Sequence, residues 1–290
     1  MFKDFRKKEQ ELIKIREQIY KKQEKEIAKV YKGISDAIEA DIKIKGEEYS
    51  EEDLRLLKKE IEIQIKDAKK EVEVIIDKNI NKVVASTVLM HKSFYRAIDK
   101  KYGTKLEKKY IKTSTSIERV AIDKIKSGKI YRDNKKLSKR IWTDNKKQLK
   151  DIDRIINEGL KNKTNVYNIA KDLEKYVNPY ERKDFKWSKV YPGTSKRVDY
   201  NAQRLARTAI THSYQEAYKE SVRSNTFIEY IEYNSAHNAR TCSMCANRDG
   251  KRFKVDDVPL DHPNGNCFLT SVIPDNITDL IADAVNNGKI

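Results

Sequence analysis

The sequence has few of the residues that interrupt helices. Its 290 residues include 9 glycines and 5 prolines, and an all-β protein of this length would need many more turns than these residues supply. No apolar run approaches the ~20 residues of a membrane-spanning helix, and the longest candidate covers only residues 83–90. Residues 1–8 have no apolar core of the kind found in signal peptides. We therefore expect a mainly α protein that folds in the cytoplasm and has no membrane partner.

Cysteine is also scarce. The 3 cysteines are an odd number, which argues against a disulfide framework and favours folding in a reducing compartment. The same 3 cysteines nevertheless lie close together in the sequence, at positions 242, 245 and 267. Such clustering in a reduced protein directs attention to metal binding.

Basic residues are in excess, and the excess is localised. The chain has 62 Lys+Arg against 45 Asp+Glu, a net charge of +17. Residues 101–200 account for 28 basic and 13 acidic residues, whereas the flanking thirds are close to neutral. A uniformly charged surface that serves only solubility would not have this distribution. The basic middle third favours contact with a polyanion such as double-stranded DNA.

The periodicity of apolar residues predicts mostly helices. We expect long amphipathic helices over 4–45 and from the Ser50 cap to Tyr102, and several shorter helices over 104–178 with a cap region at 113–116. Another helix is expected over 198–222 and a last one over 276–287. Strands are predicted over 227–233 and 268–273, and Asp249-Gly250 is predicted to form a hairpin turn. The break at 179–197 suggests a linker. We accordingly divide the chain into a helical hairpin (1–103), a basic helical region with linker (104–197) and a small α+β domain with a Cys/His hairpin (198–290).

One group of residues has the spacing of a metal site. Cys242 and Cys245 form a C-x2-C motif, and after sixteen intervening residues His262 and Cys267 form H-x4-C. Zinc prefers four nitrogen or sulfur donors in a tetrahedron, and two such pairs supply them. Four protein ligands leave no open position, so zinc here would be structural. The alternative is three reduced, partly buried cysteines beside a His-Pro turn.

Signals for catalysis are few. The sequence has no G-x-S-x-G, P-loop, H-E-x-x-H or G-x-G-x-x-G motif. Asp261-His262 with Asn264 and Asn266 partly matches an HNH nuclease, but the later positions of that pattern are missing. We expect a protein that is not an enzyme. The alternatives left open are a zinc-knuckle protein that binds nucleic acid and, with less support, an HNH-like nuclease.

Several motifs together resemble the phage head morphogenesis family, the Mu protein F-like minor head proteins. The resemblance rests on T-C-S-M-C-A-N-R-D-G-K-R-F at 241–253, P-L-D-H-P-N at 259–264 and R-L-A-R-T at 204–208. Segments 137–142, 155–173 and 191–203 also match. Many members end the motif with H-P-N-C-R-C. Here Gly265 takes the first of those cysteine positions, which makes His262 the necessary fourth ligand if zinc binds.

The resemblance implies a minor capsid protein of the virion that associates with the portal during procapsid assembly. It also implies a place inside the capsid near packaged DNA, with the scaffold or the major capsid protein as further candidate partners. The basic middle segment agrees with non-specific phosphate contact. The residues that we predict to contact DNA are Lys135, Lys136, Lys139, Arg140, Lys146 and Lys147.

Overall fold

The computed structural model describes residues 1–180, 191, 193–194, 198–237 and 241–290, apart from the Trp142 side chain. The predicted linker over 179–197 falls mostly outside this part of the chain. Within it, eight α-helices and one small antiparallel sheet confirm the mainly α fold with an α+β C-terminal part. The elements are α1 (Lys3–Lys45), α2 (Glu51–Tyr102), α3 (Leu106–Ser127), α4 (Leu137–Lys161), α5 (Val166–Val177), α6 (Tyr200–Arg223), β1 (Tyr230–Asn234), α7 (Ser243–Arg248), β2 (Lys251–Lys254), β3 (Phe268–Val272) and α8 (Ile277–Asn286).

The signals at helix ends act largely as predicted. A short 3-10 turn over Gly46–Glu48 follows α1, with Gly46 at φ +57°. The N–H of Asp53 donates to Ser50 Oγ at 3.1 Å and the N–H of Ser50 donates to Asp53 Oδ2 at 3.0 Å. This reciprocal pair is a capping box with Asp in place of Glu, and it fixes the start of α2.

Three local predictions are wrong. Residues 113–116 lie inside α3, where the hydroxyl of Thr113 donates to the carbonyl of Tyr110 and no cap is needed. The strand predicted over 227–233 begins only at Tyr230, because Asn225 Oδ1 accepts from the N–H of Phe227 and holds a turn there. Asp249-Gly250 leads from α7 into β2 and does not join two strands directly.

The chain forms two compact units, each built from separated stretches. The sheet unit comprises Met1–Tyr20, Lys78–Lys135 and Arg207–Ile290. The helical unit comprises Lys21–Asp77 and Lys136–Ala206. The long helices α1, α2 and α6 contribute a segment to each. The division into three consecutive domains at 103 and 197 stays a prediction.

The core of the sheet unit is rich in aromatic side chains. Phe94 stacks on Phe2 with ring centroids 4.6 Å apart, and Phe5 meets the edge of Phe94 at 5.4 Å. His91 packs edge-on against Tyr218 at 4.6 Å. All five side chains are buried. The start of α1 therefore lies against the later part of α2, as it does in an antiparallel helix pair.

The sheet has the order β2-β1-β3, and both pairings are antiparallel. Side chains of α1 and α6 cover the outer edge of β3. The N–H of Ser271 donates to Glu9 Oε1 at 3.0 Å, and the N–H of Leu269 donates to the Tyr214 hydroxyl at 3.0 Å. Arg16 donates from Nη1 to the carbonyl of Cys267 at 2.8 Å. These side chains occupy backbone groups of the edge that another strand could otherwise pair with, and they hold the start of β3 in place.

Buried polar contacts tie the helical unit together. Asn145 Nδ2 on α4 donates to the carbonyl of Ile65 on α2 at 2.8 Å. Gln148 Nε2, one turn later, donates to the Tyr31 hydroxyl of α1 at 2.9 Å and to the carbonyl of Val198 at 2.8 Å. These contacts orient α4, so its buried face is fixed and its opposite face is turned to solvent.

Candidate metal centre

The first pair of candidate ligands lies at the start of α7. Cys242 is the N-cap residue of this helix, and Cys245 is its third residue. The N–H of Ala246 donates to the carbonyl of Cys242 at 2.9 Å, which closes the first turn. One helical turn therefore brings both thiols to the same side. Cys245 is buried and Cys242 is partly exposed.

The second pair comes from the connection between β2 and β3. His262 lies in this loop and Cys267 immediately precedes β3. The ligand atoms of Cys242, Cys245 and His262 all lie within 4.8 Å of one another. Those of Cys245, Cys267 and Asp261 form a second such group. The structure thus brings the four sequence-predicted donors into two overlapping groups, with Cys245 common to both.

Asp261 is a component that the sequence analysis did not place in the site. Its carboxylate is buried and accepts from the N–H of His262 at 2.8 Å and from the N–H of Cys267 at 3.0 Å. The Tyr233 hydroxyl on β1 donates to the same carboxylate at 3.2 Å. One side chain therefore fixes the backbone of both later ligands. Its position beside His262 in the sequence was the available signal, but nothing in the pattern showed that it points inward.

The absence of a side chain at Gly265 leaves room for the Asp261 carboxylate. A Cβ atom at position 265 would lie 2.2 Å from Asp261 Oδ2 and 2.4 Å from Asp261 Cγ. The space that a cysteine would need there is therefore filled by Asp261. Glycine at position 265, where many family members have cysteine, is therefore the residue that the inward Asp261 carboxylate requires.

A stripe of polar residues on α6 holds the loop in place. Its members are spaced i, i+3, i+4 and i+7, so they share one helix face. The contacts are Thr208 Oγ1 with Asn264 N (2.9 Å), Thr211 Oγ1 with Gly265 O (2.9 Å), His212 Nε2 with Asp261 O (3.0 Å) and Gln215 Oε1 with Asp261 N (3.0 Å). Four residues of one helix face thus fix loop 261–265. His212 belongs to this support.

The thiols differ in their electrostatic surroundings. Burial raises the pKa of the Cys245 thiol, and the neighbouring Cys267 and Cys242 thiols raise that pKa further. Burial likewise raises the pKa of Cys267. The backbone N–H of Cys245 holds the pKa of the Cys242 thiol below its usual value. Buried thiols with raised pKa values keep their protons until a cation compensates the thiolate charge. Three thiols and an imidazole are the donors that tetrahedral zinc prefers, so the residues present fit the group.

The six predicted DNA-contacting residues lie in or just before α4. Lys136 is the N-cap residue of α4 and belongs, with Lys139, Arg140, Lys146 and Lys147, to the helical unit, while Lys135 belongs to the sheet unit. All are exposed except Arg140, which is partly buried. At ~100° per residue, the five in the helical unit fall within an arc of about 120° that faces away from the buried side of α4. Exposed Lys150 falls in the same arc, and the sequence analysis missed it.

The family comparison agrees with these features. The model of the family described as Phage Mu protein F like protein matches residues 115–268, just over half of the 290-residue chain. The chain therefore belongs to this family, and membership indicates a phage head morphogenesis protein with capsid-assembly partners and a place in the virion. No curated protein and no solved structure matches the chain. Among the described helices, none has the length and apolar character needed to cross a bilayer.

Proposed function

We propose that this chain is a structural minor head protein that joins the portal during procapsid assembly and lies inside the capsid against packaged DNA. The observation that carries the proposal is the extent of the family match. Residues 115–268 contain both the cationic face of α4 and all four candidate metal ligands. The two features most distinctive of this chain therefore lie in the part that it shares with phage head proteins.

Zinc is the metal that we propose for Cys242, Cys245, His262 and Cys267. The Asp261 carboxylate already accepts from two backbone N–H groups and from the Tyr233 hydroxyl, so we assign it to holding the loop and the four sulfur and nitrogen donors to the metal. Such a site joins α7, in which Cys245 is the one buried residue, to the start of β3. Because the protein supplies all four ligands, the role is structural and not catalytic.

Non-specific DNA contact is the role that we propose for the α4 cations. The stretch from Lys136 to Lys150 is about 21 Å long at 1.5 Å per residue, and Asp144, the one acidic residue that the sequence places in it, lies outside the cationic arc. A row of cations of this length can neutralise several successive phosphates of a duplex, and it has no groove-reading element for bases. Confined DNA inside a capsid is a partner of this chemistry.

Co-expression with the portal protein of the same phage tests the proposed assembly role. We expect the two proteins to co-purify and the chain to be incorporated into procapsids. A chain that binds DNA tightly but never joins portal or procapsid would contradict the role in the head and favour an independent nucleic-acid-binding protein. Cleavage of DNA with divalent metal, abolished by His262→Ala, would contradict the non-enzymatic role.

DNA affinity measured against salt tests the α4 surface separately. Five phosphate contacts give a slope of log affinity against log salt of about −4.5. The double variant Lys139→Glu/Lys146→Glu should make the slope less steep by about 2 and weaken binding to all sequences alike. Lys14→Glu/Lys82→Glu, at exposed positions outside α4, is the matched control. Equal losses in both variants would show that only net charge matters.

A further inference from the structure

The sheet unit contains a second surface that neither the metal centre nor the α4 cations use. It is an apolar groove of about 460 Å³ between α3 and α8. A cleft of about 380 Å³ continues it along α3 and shares Leu106, Lys109 and Ile290 with it. The apolar lining consists mainly of Tyr95, Leu106, Tyr110, Phe227, Leu280 and Ile290. We call these two joined spaces the α3–α8 groove.

The rim of the α3–α8 groove is basic. Lys105, Lys108, Lys109, Lys112 and Lys289 line it. None of the described residues that line it is acidic, and none of the five lysines has a carboxylate within ion-pair distance in the described part of the chain. The other end of the same helix is different, because Lys124 pairs with Glu220 at 2.6 Å and with Glu216 at 3.3 Å.

Apolar surface of the groove is also left open to solvent, since Leu280 on α8, which lines it, is 41% exposed. An apolar groove of this kind bordered by unpaired cations attracts a ligand that carries both apolar groups and negative charge. DNA matches only the charge, because phosphate contacts need no apolar cavity.

We propose that the α3–α8 groove binds an acidic amphipathic helix of another protein. Apolar residues spaced i, i+3, i+4 and i+7 would fill the groove, and flanking carboxylates would pair with the lysines. The lysines from 105 to 112 cover about 11 Å along α3, enough for two turns of a bound helix. The proposal is independent of portal binding, zinc binding and DNA contact.

A labelled model peptide tests the proposal with the full chain. The probe is a helical peptide of about 14 residues, four turns, with Leu on one face and Glu on both flanks. We expect saturable binding by fluorescence anisotropy. A peptide with Ser in place of Leu, and one with Lys in place of Glu, should each bind at least tenfold more weakly. No saturable binding of the Leu/Glu peptide up to about 1 mM, the range of weak encounters, would overturn the proposal.

Two protein variants separate the apolar from the charged contribution. Leu280→Glu places a charge on a half-exposed side chain, and Lys108→Glu/Lys109→Glu/Lys112→Glu reverses the rim. We expect each to weaken peptide binding at least tenfold. Lys14→Glu/Lys82→Glu/Lys129→Glu makes the same change in net charge at exposed positions elsewhere in the sheet unit and should alter binding less than twofold.

Three outcomes would overturn the docking surface. The first is an equal loss in the control triple variant, and the second is equal binding of the Ser-substituted peptide. The third is that duplex DNA displaces the peptide and also binds more weakly to the Lys108/Lys109/Lys112 variant than to wild type. That result would make the groove a nucleic-acid-binding surface. Failure of portal co-purification would leave these measurements unaffected, so the two proposals can fail separately.

Discussion

The carboxylate of Asp261 accepts a hydrogen bond from the backbone N–H of Cys267 at 3.0 Å, across six residues of loop. The same carboxylate holds the N–H of His262 and the hydroxyl of Tyr233. It therefore sets the backbone at two candidate ligands and ties their loop to β1. The candidate metal centre therefore has an organising residue that the protein itself supplies.

Replacing the Asp261 carboxylate should lower the stability of the folded protein. Asp261→Ala leaves two backbone N–H groups and one hydroxyl without their partner in a buried site, and we expect the free energy of unfolding to fall by about 3 kcal/mol. Urea unfolding of the full chain measures this. Asp257→Ala removes an exposed carboxylate nearby and should change stability by less than about 0.5 kcal/mol. A similarly small change in Asp261→Ala would contradict the organising role.

A methyl group added at Gly265 tests the close contact between this residue and the Asp261 carboxylate. A Cβ there would meet Asp261 Oδ2 at 2.2 Å, so we expect Gly265→Ala to cost about 1–3 kcal/mol of stability through forced displacement of the loop. Gly33→Ala is the control, since nothing lies within 4 Å of the added atom. That substitution in α1 should stabilise by about 0.5–1 kcal/mol. A thermal melt in which Gly265→Ala equals or exceeds wild type would show that the site has room.

His91 packs against the rings of Phe5 and Tyr218 as an apolar side chain would. Both ring nitrogens are buried without a hydrogen-bond partner in the described part of the chain, and burial lowers the pKa of His91 to about 3. We expect His91→Leu to raise the free energy of unfolding by about 1 kcal/mol, because an unsatisfied polar group leaves the core. Asn145→Leu also removes a buried polar side chain, but one that donates to the carbonyl of Ile65, and it should destabilise. Equal destabilisation by both would mean that His91 has a partner.

Asp144 should make the stability of the chain depend on pH. Burial, with Asp151 and Asp199 nearby, raises the pKa of Asp144 to about 7, although Asn201 and Lys147 oppose this shift. The folded state therefore keeps a proton on Asp144 that the unfolded chain releases near pH 4. The stability that this protonated carboxyl contributes is lost as pH rises from about 4 towards 7. Relative to Asp144→Asn, wild type should lose up to about 1.4 kcal/mol per pH unit in this window. Unfolding curves of the two proteins that shift in parallel with pH would contradict the raised pKa.

Local signals made much of the fold predictable. The apolar stripes gave α1 and α2 to within a residue or two, and Ser50 with Asp53 marked the start of α2. The C-x2-C and H-x4-C spacings identified the donors that the fold brings into two overlapping groups. These features depend on residues within a few turns of one another, so periodicity and spacing reveal them.

Contacts between distant parts of the chain were not predictable. Arg16 donates to the carbonyl of Cys267, which lies 251 residues away in the sequence, and Glu9 accepts from the N–H of Ser271, which lies 262 residues away. In the sequence, both look like ordinary charged positions on an amphipathic helix. The inward direction of Asp261 and the α3–α8 groove likewise depend on tertiary packing, for which no local pattern exists.

Metal analysis of the purified full chain tests whether four side chains of the shared head-protein region hold one structural zinc ion. We predict one zinc per chain in wild type and in the control Lys139→Glu/Lys146→Glu. Zinc should be lost in Cys242→Ser, which alters a partly exposed ligand, with a lower melting temperature and retained DNA binding. Wild-type protein that carries no metal, and whose melting is the same with zinc, with chelator and in Cys242→Ser, would contradict the claim.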